Sequence, residues 1–179
     1  GQSTGPHMHF EIREDKSQKP LNPLSFLKQI KDSFPPAIEK LLIYKQQDYI
    51  DKFGIPFYTI TKKDTVRKPY IKVPQKFGIG IDAYDNITDS FRKLSFYEAK
   101  LFLDNNLIYS LKNDSLAFDN MASVKGIVDY YQKINFGKVY YYLFQLPCNQ
   151  SIIQKYAFQD GLISLQDTLI HSVKVEIND

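Results

Sequence analysis

The feature that most constrains the fold is how the apolar residues are parcelled. After the Pro35-Pro36 pair they come in runs of strand length separated by turn residues. Ile38 to Lys45 is one such run and Pro56 to Thr61 a second. Phe77-Gly78-Ile79-Gly80-Ile81-Asp82-Ala83-Tyr84 alternates with the period of two that marks a strand, and its glycines point to a bulge or to close approach of another backbone. Tyr97 to Leu103 and Leu107 to Leu111 flank Asp104-Asn105-Asn106. Asp and Asn tolerate positive φ in a tight turn, so this stretch reads as a hairpin. Lys138 to Leu146 and Leu169 to Ile177 read as the last two strands, with a turn at Asp160-Gly161 between them. Thirteen Tyr and thirteen Phe against eight Gly suit such a strand-rich chain.

One segment departs from this pattern. Val124, Ile127, Val128, Tyr131 and Ile134 recur at helical spacing, with Asn120 or Ser123 as a cap and Gly137 just after the end. The spacing predicts a helix over Met121 to Asn135. Short strands at nearly regular intervals with one helix in a crossover predict a mainly β chain: an antiparallel β-sandwich of immunoglobulin-like kind.

Length and charge bound the rest. With 179 residues there is ample chain for a buried core. No run of about 18 apolar residues occurs, so no segment reads as a transmembrane helix. A single cysteine, Cys148, excludes an internal disulfide framework and reads as a small buried apolar residue. The net charge is +3, and the densest basic stretch, Lys62, Lys63, Arg67, Lys68 and Lys72, is interrupted by Asp64 and Pro69. It reads as a solvated loop, and nucleic acid is not an expected partner.

The residues that carry chemistry lie before the double proline. His7-Met8-His9-Phe10-Glu11-Ile12-Arg13 alternates over seven positions, which predicts a half-buried strand with Met8, Phe10 and Ile12 toward a core. His7 and His9 then share the accessible face, about 6.5 to 7 Å apart at Cα. Two imidazoles in one groove can ligate a metal or polarise water, or they can simply be exposed strand histidines. Glu11 shares that face but lies about 13 Å from His7, too far for one zinc, so it is expected to pair with Arg13 or orient a neighbour. Asn22 is placed to cap a short helix opened by Pro23, with Leu24, Leu27 and Ile30 as its inner stripe. Ser33-Phe34-Pro35-Pro36 cannot continue that helix, so a boundary separates residues 1–33 from residues 37–179. His171, alone near the last strand, reads as a hydrogen-bonded structural histidine.

The stretch Gly1-Gln2-Ser3-Thr4-Gly5-Pro6-His7-Met8-His9-Phe10-Glu11, followed by Pro20-Leu21-Asn22-Pro23, resembles the end of the catalytic domain of lysostaphin-type (LytM-like) zinc metallopeptidases. These enzymes cut peptide crosslinks of bacterial peptidoglycan. The family pattern reads Ser-Thr-Gly-x-His-Leu-His-Phe-Glu, and Met8 for Leu is a volume-conserving departure. The resemblance covers about the first 25 residues. It implies that His9 is a zinc ligand and that His7 is a catalytic histidine, which helps activate water or stabilise the tetrahedral intermediate. The family's remaining ligands, from a His-x-x-x-Asp motif, have no counterpart in this sequence, and His171 has no Asp four residues after it.

The region beyond the double proline is similar, less specifically, to the β-sandwich that follows such catalytic domains in peptidases of a Bacteroidetes-like group. The resemblance implies an envelope protein, periplasmic or extracellular in a bacterium. It has residues 1–33 as the end of a zinc metallopeptidase domain and residues 37–179 as an accessory immunoglobulin-like domain. That domain is expected to lack its last strand, with Asn178-Asp179 opening the turn toward it, and to expose an edge open to self-association. Zinc is the implied cofactor, and peptidoglycan crosslinks are the implied substrate. The chain alone is expected neither to hold zinc tightly nor to cleave. The alternative is a non-catalytic envelope-binding or scaffolding module carrying a degenerate peptidase remnant.

Overall fold

The computed structural model describes residues 5, 10–27, 33–45, 56, 58–61, 64, 70–86, 93–115, 126–146 and 154–179. The fold is mainly β, and its sheets are antiparallel. Two short strands, β1 (Ile12–Arg13) and β2 (Pro20–Leu21), pair with each other. The first main sheet is built on β3 (Ala37–Lys45), with β4 (Tyr58–Thr61) on one side and β5 (Lys76–Tyr84) on the other. The second is built on the hairpin of β6 (Glu98–Leu103) and β7 (Asn106–Lys112). After helix α1 (Tyr130–Phe136), β8 (Tyr141–Tyr142) and β10 (Ile163–Ser164) return to β5, while β9 (Gln154–Ala157) joins β7 and β11 (Val173–Asn178) joins β6. The strand order is thus β10-β5-β3-β4, with β8 also on β5, in one sheet and β11-β6-β7-β9 in the other.

Period-two patterning decides which faces meet. Ile43, Phe77, Ile79, Ile81 and Ala83 from the first sheet pack with Ala99, Leu101, Ile108, Tyr109 and Leu111 from the second, so the main core lies between the sheets as in a sandwich. Val173, Val175 and Ile177 close it along β11 while Lys174 and Glu176 pair outside. Burying a side chain of this size stabilises by roughly 1.5 to 3 kcal/mol.

The first sheet is also covered on its second face. Leu42, Tyr44, Tyr140, Tyr142 and Phe144 form a separate aromatic cluster there. The β3–β5 register sets Leu42 opposite Gly80 and Tyr44 opposite Gly78. The two glycines make room for rings more than for a neighbouring strand: a Cβ at Gly78 would overlap the Phe144 ring, and one at Gly80 would lie 2.7 Å from the Tyr44 ring and 3.2 Å from the Tyr141 carbonyl. Of the two alternatives the glycines suggested, close approach is the one found at them; the register irregularity of the β3–β5 pair lies between Ile38 and Lys40, opposite Asp82 and Ala83.

The hairpin matches its reading. Asp104 and Asn105 both take positive φ, 48° and 67°, in a two-residue turn between Leu103 and Asn106. The turn at Asp160-Gly161 is also present, with φ of 57° and 74°.

Several expectations are corrected. The helix is not continuous over Met121 to Asn135: residues 116–125 lie outside the described residues, residues 126–129 are not helical, and α1 begins at Tyr130 with Asp129 as its cap. Val128 makes a β-bridge with Tyr141, and Ile127 is buried in the main core while Tyr131 and Ile134 point to solvent. The spacing that suggested one helical stripe therefore joins residues of two different environments. Gly137 does end the helix, in the left-handed conformation.

In Lys138 to Leu146 only Tyr141 and Tyr142 are laddered, because the chain bends at Leu143 and Phe144 to bury both. The last strand begins at Val173 rather than Leu169, and Asn178 is still paired, with Glu98, instead of opening a turn. Phe10 is 55% exposed and outside a strand, so the expected strand over His7 to Arg13 is, in its described part, only Ile12 and Arg13. Leu24, expected on an inner stripe, is exposed, and Ile30 lies outside the described residues.

Candidate functional site

His7 and His9, the residues on which the sequence places the chemistry, lie outside the described residues, as do Met8, Cys148 and most of the basic stretch at 62–69. The frame that follows them is described. The β1–β2 ladder pairs Ile12 with Leu21 and Arg13 with Pro20, and the connection between is pinned by the Glu14 amide donating to the Lys19 carbonyl at 3.0 Å. Arg13 donates twice to Glu11 Oε1, at 2.9 and 2.6 Å, which is the pairing expected for Glu11. Both side chains are more than a third exposed, so the pair contributes about 0 to 1 kcal/mol and acts mainly to hold Glu11 in place.

Asn22 does two jobs. Its side-chain oxygen accepts from the Leu24 amide at 3.1 Å, capping a 3-10 turn over Pro23–Ser25 where Pro23 loses no hydrogen bond. Its backbone amide donates to the Asp114 carbonyl at 2.8 Å, its side-chain amide donates to the Asn113 carbonyl at 3.3 Å, and Leu21 bridges to Ser115. The segment after the histidine pair is thereby stitched to the end of β7.

His171 is hydrogen-bonded, as its reading requires, and the partners explain why it is held. Its Nδ1 lies 2.6 Å from Asp104 Oδ2 and its Nε2 lies 2.9 Å from Asp167 Oδ1. Asp104 Oδ1 also accepts from the Ser172 amide at 2.8 Å, and Asp167 Oδ1 from the Leu169 amide at 2.9 Å. The hydrogen bonds to Asp104 first and Asp167 second raise the His171 pKa, and bonding to His171 lowers both carboxyl pKa values. With both ring nitrogens bonded to carboxylates, this arrangement is a clamp between the β6–β7 turn and the approach to β11, not a metal site. Among the described residues no group of three or more His, Cys, Asp or Glu is disposed to hold a metal ion.

A second charged group is buried in the fold. Asp129 is fully buried and accepts from the Tyr44 hydroxyl at 2.9 Å and from the Gln132 amide at 3.0 Å, with Tyr142 also bonded to it. Burial, opposed by these hydrogen bonds, raises its pKa, and burial together with the neighbouring carboxylate pushes the Tyr44 and Tyr142 hydroxyls up as well. The group caps α1 and roofs the aromatic cluster.

A surface pocket of about 420 Å³ opens beside β10, lined by Lys76, Gln159, Leu162, Ile163, Ser164 and Gln166. One cation among amides and a hydroxyl can bind a polar ligand but offers no acid–base pair for hydrolysis. Among the described residues no helix is long and apolar enough to cross a membrane.

Asp167, which sequence reasoning missed, stands four residues before His171, a spacing that could have flagged it as a partner. Asp104 carried no sequence signal for its bond to His171, nor Asp129 for its bond to Tyr44, because these partners are 67 and 85 residues away, whereas the Asp129 cap on the Gln132 amide is local. No protein family, curated protein or solved structure matches this chain.

Proposed function

We propose that this chain is part of a zinc metalloendopeptidase that hydrolyses peptide crosslinks of peptidoglycan. Residues 1–33 would contribute the end of the catalytic domain and residues 37–179 an immunoglobulin-like accessory sandwich in the bacterial envelope. One observation carries the reading: the run Ser3-Thr4-Gly5-Pro6-His7-Met8-His9-Phe10-Glu11 followed by Pro20-Leu21-Asn22-Pro23, in which a glycine turn, two histidines and the capped proline turn all stand where the family pattern has them. The Asn22 cap on Pro23–Ser25 and the Glu11–Arg13 pair are compatible with a built frame behind the histidines.

A catalytic zinc takes three protein ligands and keeps one position open for water, where it lowers the pKa of that water and polarises the scissile carbonyl. By resemblance this chain supplies one ligand, His9, with His7 assisting at the reacting carbonyl or water. The family's His-x-x-x-Asp motif has no counterpart in this sequence, so the other ligands would come from elsewhere in the full protein. The part of this chain would be to present His7 and His9 from a stretch anchored to the sandwich through Asn22.

The test uses the full protein that carries this chain and purified peptidoglycan, with products read by mass spectrometry. Products bearing a newly freed amine at a crosslink peptide bond are expected, and their loss in His7→Ala with retention of fold. Hydrolysis undiminished in His7→Ala overturns the assignment. The exposed apolar side of α1 favours a second, binding role for the sandwich.

A further inference from the structure

Helix α1 is inside out. A surface helix normally buries its apolar stripe and exposes its polar residues, yet the buried residue of α1 is the polar Gln132, 9% exposed, while Ile134 and Phe136 are 63% and 60% exposed. Tyr130, Tyr131 and Val139 are exposed beside them, and the Tyr131 and Phe136 rings touch edge-on with centroids 6.1 Å apart. Asp129, which caps the helix through the Gln132 amide, ties it to the fold by accepting from the Tyr44 hydroxyl, and the side chains of Tyr130, Tyr131, Ile134 and Phe136 stay exposed. An isolated exposed leucine needs no explanation, but five large apolar side chains exposed within ten residues, two of them in ring contact, concentrate apolar surface in one place, and such surface marks a docking site.

The charges in the same segment indicate what docks. Lys133 and Lys138 are exposed among the apolar residues, no Asp or Glu occurs from 130 to 139, and Asp129 is buried. The patch therefore suits an anionic, apolar-backed surface. A stable protein partner takes about 20 to 30 residues a side, which a ten-residue knob does not offer. A lipid interface takes a smaller one: aromatic rings lie at headgroup depth, aliphatic side chains enter the acyl boundary, and lysines reach back to anionic headgroups. We infer that α1 and the residues just after it are an interfacial anchor that seats this chain on an anionic lipid bilayer surface without spanning it. The inference stands on exposed side chains of the sandwich and is independent of the peptidase reading.

The test is co-sedimentation of the purified chain with vesicles of phosphatidylcholine containing about 30% phosphatidylglycerol, against vesicles of phosphatidylcholine alone. Binding to the anionic vesicles and weakening at about 0.5 M salt are expected. Lys133→Gln with Lys138→Gln should weaken binding about fivefold for each lysine removed. Ile134→Ser with Phe136→Ser should weaken it at least about tenfold on the same vesicles. Both pairs lie on the surface and should melt as the unaltered chain does. If the apolar pair does not fold, the lysine pair decides. Equal binding by the variants, or no pelleting of the unaltered chain with anionic vesicles, overturns the inference. So does a concentration-dependent dimer that Ile134→Ser with Phe136→Ser dissolves, since the patch would then be covered by a second copy.

Discussion

Replacing Asp129 should cost more stability than replacing any exposed carboxylate of this protein, and the pattern of the loss is specific. Asp129→Ala removes the N-cap of α1, worth about 1 kcal/mol. It also leaves the Tyr44 hydroxyl, in a residue with no exposed surface, without its acceptor, and Tyr142 loses a bond to the same carboxyl. An orphaned buried hydroxyl costs about 1 to 3 kcal/mol. With two such hydroxyls the sum is roughly 3 to 7 kcal/mol, a large share of the about 5 to 15 kcal/mol that holds a domain together. Asp129→Asn keeps an acceptor for the Gln132 amide and should cost about 1 to 2 kcal/mol.

The assay is urea unfolding followed by circular dichroism, run as a double-mutant cycle with Tyr44→Phe. In the Tyr44→Phe background Asp129→Ala should cost about 1 to 2 kcal/mol less, because one orphan hydroxyl is already gone. The pH dependence has a definite sign. The folded-state pKa of Asp129 is raised above 3.8, so its neutral form favours the fold. That contribution is complete below 3.8 and is lost as pH rises through the raised value, and Asp129→Asn should lack this dependence. A cost below about 1 kcal/mol for Asp129→Ala, or an equal cost in both backgrounds, refutes the buried-network account.

Other outcomes follow from the same structure. Gly78→Ala, which drives a Cβ into the buried Phe144 ring, should destabilise by about 1 to 3 kcal/mol in urea melts, and a neutral result would show that the aromatic cluster yields. His171→Gln should lower the urea midpoint most below the ordinary histidine value of 6.5. The His171 pKa is raised in the fold, so its contribution is present below 6.5 and lost as pH rises through the raised value. A midpoint difference that stays constant from about pH 5 to 9 contradicts the charged clamp. Purified alone and dialysed against a weak chelator, the chain should carry well under one zinc by metal analysis, and stoichiometric zinc would contradict the ligand count.

How much of this was legible in the sequence depends on the range of the interaction. Strand β5 and the β6–β7 hairpin were readable because period two and Asp104-Asn105 are local signals that tertiary packing reinforces. The glycines of β5 signalled a close approach, but nothing local identified the neighbour as Phe144 rather than another strand. The helix was misplaced because Ile127 and Val128 share its spacing while belonging to the core and to a β-bridge. Strands β9 and β10 were missed because each is short and held by long-range pairing rather than by its own pattern. At the candidate site, the Glu11–Arg13 pair was readable two residues apart, whereas the Asn22 seam to Asn113 and the clamp of His171 on Asp104 join distant stretches. The exposure of Tyr131 and Ile134 reversed the expected polarity of the helix, and together with exposed Phe136 it yielded the lipid-anchor inference.

We propose that His9 holds a catalytic zinc in the protein that carries this chain. Metal content of that full protein, measured by mass spectrometry after dialysis, tests it most directly. The account predicts about one zinc per protein in the unaltered form and in His7→Ala, and a fall to background in His9→Ala with the fold retained. Equal zinc in His9→Ala and the unaltered protein, or no zinc in either, would contradict it.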